Sequence, residues 1–130
     1  MYCSEEQDKS LINAVKKGCL DVVSRLLELE KIDVNMQDEK GDTALMWAFY
    51  TEHWGIINRL LECKKINVNV QDNNGMTALI AASQFGHYDV VNRLLNCKEI
   101  DVNVQDNNGM TSLIVAFLNG HWDVVNILLN

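Results

Sequence analysis

Three histidines, His53, His87 and His121, recur at intervals of 34 residues. Three imidazoles are what a catalytic zinc site uses, but each must reach the same ion at about 2 Å. Equivalent positions of stacked helices stand about 8 to 10 Å apart, so these rings do not converge on one metal. Cys63 and Cys97 share the interval, and the same spacing excludes a disulfide, whose Cα atoms lie within about 7 Å. Cys3 and Cys19 have no CxxC partner, and with no signal peptide all four cysteines read as reduced thiols. Ser83, His87 and Asp89 supply the residue types of a nucleophilic triad. Nothing in their spacing aligns the hydroxyl with the ring or the ring with the carboxylate. Phosphate-loop, nucleophile-elbow and His-Glu-x-x-His signatures are absent. The chain therefore reads as a non-enzyme, with no catalytic site, metal or cofactor.

The same periodicity that separates these residues defines the elements carrying them. The segment Ile66 to Ile80 returns as Ile100 to Ile114, with 13 of 15 positions identical. Projected upstream, the 34-residue period lands on Ile32 to Asp38 and on Gly41-Asp42-Thr43-Ala44-Leu45. Leu26-Leu27, Leu60-Leu61, Leu94-Leu95 and Leu128-Leu129 follow it too. Four units result, at about 8–38, 39–72, 73–106 and 107–130, the first and last incomplete. In each, a tight turn such as Asp72-Asn73-Asn74-Gly75 precedes a threonine suited to cap a helix. The first helix then runs through Ala78 to Ser83, and Gly86-His87 breaks it. Val90, Val91, Leu94 and Leu95 mark the apolar stripe of a second helix. Asp21, Asp89 and Asp123 sit in the first turn of such helices, where the dipole favours a carboxylate. Two short helices cannot bury both apolar faces alone, so the units are expected to stack around a shared core.

Gly75-x-Thr77-Ala78-Leu79, Gly86-His87, Val90-Val91, and Leu94-Leu95 followed by Asp101-Val102-Asn103 resemble the ankyrin repeat. The resemblance extends over nearly the whole chain from about Lys9. It implies an all-α solenoid of stacked helix-turn-helix repeats joined by β-hairpin-like loops. Ala44, Ala78 and Ser112 stand where the family has proline, which is well suited to the first helical position. Met46, Ile80 and Ile114 stand where it has histidine, so apolar packing must replace that ring's hydrogen bonds. The segments Cys63 to Ile66 and Cys97 to Ile100 are a residue longer than the common unit and lack its glycine, which alters the helix exit.

With 130 residues, 48% hydrophobic and 22% charged, residues 1–130 are expected to form one domain with enough apolar content for a core. Net charge is −7 and no basic run occurs, which disfavours nucleic acid and anionic membrane as partners. The longest apolar run, Ala44 to Tyr50, is seven residues, against ~18 or more for a membrane span. Acidic residues directly follow the N-terminus in place of a secretory signal, and the expected location is the cytoplasm.

In the resembling family, partners are held by the hairpin tips and the ends of the first helices, which line a concave face. By position, these are Gln37, Glu39, Lys40, Asp42, Tyr50 and Thr51 in the second unit. The third unit supplies Gln71, Asn73, Asn74, Met76, Gln84 and Phe85. The fourth supplies Gln105, Asn107, Asn108, Met110, Leu118 and Asn119. Tyr50, Met76, Phe85, Met110 and Leu118 put apolar side chains where solvent is expected, the mark of an interface. The opposing reading turns Phe85 and Leu118 inward as extra core. Trp54, Tyr88 and Trp122, preceded by Leu20, form a second ladder expected to pack as core or rim. The expected function is that of a monomeric scaffold binding another protein. The alternative is a targeting or inhibitory module of a larger enzyme or secreted effector, suggested by Ile127 in place of Arg25, Arg59 and Arg93. The resemblance also implies that the hairpin residues Asn35, Asn69 and Asn103 are candidate substrates of an asparaginyl hydroxylase. Of these, Asn69 is expected to be the poorest, because Asn67 replaces an acid before it.

Overall fold

The computed structural model describes residues 4–130, with side chains from Ser10 onward. Cys3 lies outside the described residues. Eight helices run in chain order among them: α1 (Ser4–Lys16), α2 (Leu20–Leu27), α3 (Ala44–Tyr50), α4 (Trp54–Leu61), α5 (Ala78–Phe85), α6 (Tyr88–Leu95), α7 (Ser112–Leu118) and α8 (Trp122–Leu129). No strand occurs among the described residues, so the fold is all-α. The chain forms two compact units, Met1–Asn67 with α1 to α4 and Val68–Asn130 with α5 to α8. In the first unit α1 packs on α2 and α3, α3 on α4, and α2 on α4. The second repeats this arrangement, α5 lying on α6 and α7, α7 on α8, and α6 on α8.

The odd-numbered helices from α3 onward start in one way. Thr43, Thr77 and Thr111 are extended, and their side-chain oxygens accept the amides of Met46, Ile80 and Ile114 at 3.2, 3.2 and 3.3 Å. Each such cap contributes about 1 kcal/mol, which offsets the missing proline at the next position. The even-numbered helices end without glycine, as the sequence implies: Glu28, Glu62 and Asn96 close them in right-handed conformations. Cys63 and Cys97 then donate back three residues, to Leu60 and Leu94 at 3.0 Å, tightening the exit. The first helix of the second repeat exits through Glu52, whose φ of 55° is the left-handed conformation that glycine takes at the equivalent places. A side chain there costs about 1 to 2 kcal/mol.

The turns before the first helices are built on an aspartate. Asp72 Oδ1 accepts the amides of Asn74 and Met76 at 2.8 and 2.9 Å, while its carbonyl takes the Gly75 amide. Asp38 and Asp106 do the same one period away. This pins each loop to the helix it introduces.

Leu11, Val15, Val23, Leu45, Ile57 and Leu60 fill the interior of the first unit, and Leu79, Ile80, Val90, Val91 and Leu94 that of the second. Of the apolar residues that replace the family's histidine, Met46 and Ile80 are buried, but Ile114 is 40% exposed. Among the described residues, no helix is long and apolar enough to cross a membrane. Replacing Leu79 or Leu94 by alanine leaves a cavity in a fully buried site and is predicted to cost about 2 to 5 kcal/mol in urea unfolding. Met76→Ala, at a half-exposed site, is predicted to cost far less.

Candidate protein-binding surface

In the first unit, the exposed tip residues Glu39 and Lys40 sit on the Asp38 turn. Gln37, also exposed, donates to the Gly41 carbonyl at 2.9 Å. Tyr50 is 43% exposed at the end of α3. Asp42 departs from the sequence expectation of a partner-facing residue. It is 7% exposed, and Tyr50 donates its hydroxyl to Asp42 Oδ1 at 3.3 Å. A carboxylate so placed braces the loop against α3 and leaves little surface for a partner. Thr51 is likewise turned to its own helix, its hydroxyl donating to the Trp47 carbonyl at 2.7 Å.

Beside these residues lies an open cleft of about 690 Å³ that position-by-position reasoning missed. Ile12, Asn13, Lys16, Met36 and Trp47 line it along with the Asp38 turn. The Lys16 ammonium lies 4.4 Å from the centre of the Trp47 ring, and the Trp47 indole donates to Asp38 Oδ2 at 2.9 Å. Burial by itself would raise the Asp38 carboxyl. The Trp47 donor, the amides of Asp42 and Lys40 and the Lys16 charge outweigh it, holding the group below its ordinary value. Lys16 was legible in principle, since the 34-residue step from Tyr50 lands on it.

In the second unit, Asn73, Asn74, Asn107 and Asn108 are exposed at the two tips, with Met76 and Met110 half-buried below them. The tips are joined: Asn107 donates its side-chain amide to the Asn73 carbonyl, and its backbone amide to that of Asn74, both at 3.0 Å. Gln71 donates to the carbonyls of Gly75 and Gln105 at 2.8 and 3.0 Å. Phe85 and Leu118 are 64% and 66% exposed, at the ends of the adjacent helices α5 and α7, so neither turns inward as core. Gln84 is half-buried next to Phe85. Asn119 is exposed but donates to the Val115 carbonyl at 2.7 Å, closing α7.

The periodic histidines open α4, α6 and α8. In each unit one of them lies against a left-handed glycine. An added Cβ at Gly18 would stand 2.8 Å from the His53 ring, and at Gly86 2.5 Å from His121. The His121 ring also shares a hydrogen bond of 3.0 Å with the Gln84 carbonyl. Among the described residues no three potential ligands group to hold a metal. Ser83 is wholly buried with its Oγ unpartnered, and Asp89 is exposed, so the triad residue types do not assemble. Cys19, Cys63 and Cys97 are free thiols, and burial pushes the Cys97 thiol up.

The ladder at the start of the even-numbered helices packs as rim. Leu20, Trp54, Tyr88 and Trp122 are 37 to 56% exposed, and Trp122 meets Phe117 edge-on at 5.3 Å. The hairpin asparagines serve as staples. Asn35 donates to the Lys65 carbonyl at 2.8 Å and accepts the Asn67 amide at 2.8 Å. Asn69 treats Glu99 and Asp101 identically, at 2.7 and 2.8 Å. The side chain of Asn103 is exposed and has no partner among the described residues.

Capped helix pairs stapled through their turns define a helical-repeat protein. The family model for ankyrin repeats in three copies matches residues 11–106 and 56–130, and the chain belongs to the ankyrin-repeat family. Such repeats are protein-interaction modules and are generally non-catalytic. Among curated proteins, 39 residues are 56% identical to palmitoyltransferase akr1 of Schizosaccharomyces pombe, covering 30% of this chain and 6% of that protein. A 43-residue stretch is 35% identical to acyl-CoA-binding domain-containing protein 6 of Bos taurus, covering 33% of this chain and 15% of that protein.

The Asp38 cluster has a pH signature. Because its folded pKa is lowered, its stabilisation is present above the unfolded carboxylate value of about 4 and is lost as pH falls through the folded value. Trp47→Phe removes one of the interactions that lower it. The variant is predicted to lose less stability than the parent between about pH 5 and 2 in urea titrations, with the Asp38 carboxyl resonance titrating at higher pH.

Proposed function

We propose that the chain binds a protein partner through the face formed by its hairpin tips and first helices, the concave face of the family, with the anchors in the second unit. The observation carrying this reading is the exposure of Phe85 and Leu118, apolar side chains at the ends of two neighbouring helices. Met76 and Met110 extend the apolar area, and Asn73, Asn74 and Asn108 supply polar groups at its edge. A framework already ordered before the partner arrives limits the entropy lost on association. In the first unit Glu39, Lys40 and Tyr50 offer a smaller, more polar counterpart beside the Trp47 cleft. The chain acts in the cytoplasm as a monomeric scaffold, folding as a single domain.

A second reading makes the repeats a targeting or inhibitory module of a larger enzyme or secreted effector. It is favoured by the small share, 6% and 15%, of the similar proteins that the matching segments occupy. The extent of the reading frame separates the two.

Affinity capture tests the surface. Joint alanine replacement of Met76, Phe85, Met110 and Leu118 is expected to abolish partner capture with helicity unchanged. Replacement of Trp54, Tyr88 and Trp122 is expected to leave it intact; the opposite pattern places binding on the other side. The hairpin asparagines are also proposed as hydroxylase substrates. With Asn35 and Asn69 engaged on both sides of their amides, Asn103 is predicted to gain oxygen first. Peptide mass mapping after incubation with an iron- and 2-oxoglutarate-dependent asparaginyl hydroxylase checks the order, and no gain at Asn103 removes the idea.

A further inference from the structure

Within the first unit, the Asp38 turn has a neighbour unlike that of the turns in the second. There two tips lie side by side, the Asn107 side chain donating to the Asn73 carbonyl at 3.0 Å. One period before the Asp38 turn stand residues 4–7, and these are already helical, because α1 runs for 13 residues where α3 and α7 have seven. A helix wall therefore faces the turn in place of a second tip, and the space they enclose is the cleft of about 690 Å³. That volume is in the range of about 300 to 1,000 Å³ found for ligand-holding clefts.

Buried Ile12 and half-buried Met36 and Trp47 give the cleft an apolar lining, while Lys16 of α1 and Lys40 of the turn are its exposed cations. Neither ammonium has a hydrogen-bond acceptor among the described residues. Lys16 is instead held over the Trp47 ring, 4.4 Å from its centre, which fixes where the charge stands. An ammonium has three donors, so contact with the ring leaves others for an acceptor in the cleft. Asp38 does not fill that role, because its own oxygens are occupied. Oδ1 accepts the amides of Lys40 and Asp42 at 3.0 and 2.9 Å, and Oδ2 the Trp47 indole at 2.9 Å. Two ammoniums thus share the cleft with one exposed carboxylate, Glu39. The pairing is particular to this place: Tyr50, Gln84 and Leu118 replace Lys16 in later repeats, and Ala81 and Val115 replace Trp47.

We propose that this cleft binds an acidic peptide segment of the partner, taking a glutamate side chain between Lys16 and Lys40 and the apolar side chains beside it against Met36 and Trp47. The inference rests on the reading of the tips and first helices as the partner-binding face, and gives the chemistry that the first unit recognises there. Charge complementarity carries it. A cationic segment would meet two ammoniums and a ring face that already carries one of them, and Asp38, with three donors on its two oxygens, has little left to offer it. An acidic segment finds ammoniums without acceptors, one of them already held in position, so little ordering remains to be done on binding.

Titration of the full chain with a blocked tripeptide, leucine-glutamate-phenylalanine with acetylated and amidated ends, tests this through the tryptophan indole N–H resonances. The Trp47 resonance is expected to shift to saturation, with those of Trp54 and Trp122 unmoved. The glutamine analogue is expected to bind at least about fivefold more weakly, the size of one or two exposed ion pairs. Lys16→Met and Lys40→Met are each expected to bring the glutamate peptide toward the affinity of that analogue, with helicity by circular dichroism as the folding control. Lys16→Arg is expected to keep the preference, and Glu39→Gln to tighten binding by removing the competing carboxylate. No saturable response at Trp47, equal affinity for the two peptides, or tighter binding of the lysine analogue overturns the proposal. Peptide binding is expected to persist in the variant with alanine at Met76, Phe85, Met110 and Leu118, whose loss of partner capture tests the face itself. Capture that does not depend on those anchors overturns that reading, whereas an unresponsive Trp47 overturns this one.

Discussion

A two-helix repeat has two apolar faces and only one partner helix inside itself, so each face must be closed from outside. Everything regular in the chain serves that closure. Ile80, on α5, contributes to stability because α7 packs against that helix, and the same residue type at Ile114 is left 40% exposed. Apolar burial stabilises by about 25 cal/mol per Å², with no direction of its own. Register comes from the polar parts of the joint: an asparagine that only fits over a glycine, and a histidine that finds one carbonyl. A repeat displaced by one residue would lose these bonds and place a Cβ where a side chain must lie.

That division of labour explains what the sequence made legible. A 34-residue identity fixes element type and order, because the same turn, cap and apolar stripe must produce the same local structure each time. Thr77 caps as its position between an Asn-Asn-Gly turn and an apolar run demands, and Gly86 ends α5 in the left-handed conformation. The glycine-free exits after α4 and α6 follow as well, since without glycine the chain closes through right-handed turns. Periodicity also bars the histidines from a shared metal, but it does not reveal their use. Their role lies in a contact between different repeats, and one-dimensional spacing contains no information on which glycine a ring overlies.

The surface was less legible for a related reason. Carrying family positions onto a chain assumes that each occupies the same environment in every unit. Asp42 breaks the assumption because Tyr50, eight residues on, supplies a hydroxyl that draws the carboxylate inward; Met76 and Met110, at its register, have no charge to satisfy. Asn107 breaks it differently, spending its amide on Asn73 while Asn73 and Asn74 stay exposed. Lys16 and Trp47 meet only in the first unit, where Ala81 and Val115 replace the tryptophan in later repeats. Departures from the repeat average mark where a chain has acquired a local property, and those departures are what the averaged pattern suppresses.

The two kinds of exposed apolar residue in the second unit then call for separate physical accounts. Leu118 is in register with Tyr50, which is 43% exposed, and with the half-buried Gln84, while Phe85, 64% exposed, is in register with Thr51 and Asn119. Ile114, Phe117 and Val102 belong to columns whose members Ile80, Ser83 and Val68 are buried. Exposure of Phe85 and Leu118, each at the end of a first helix, puts apolar area on two neighbouring repeats, which suits a surface for a partner lying across them. Burial of Ile80 and Ser83 is instead a property of the neighbour, since α5, which carries them, has α7 packed against it.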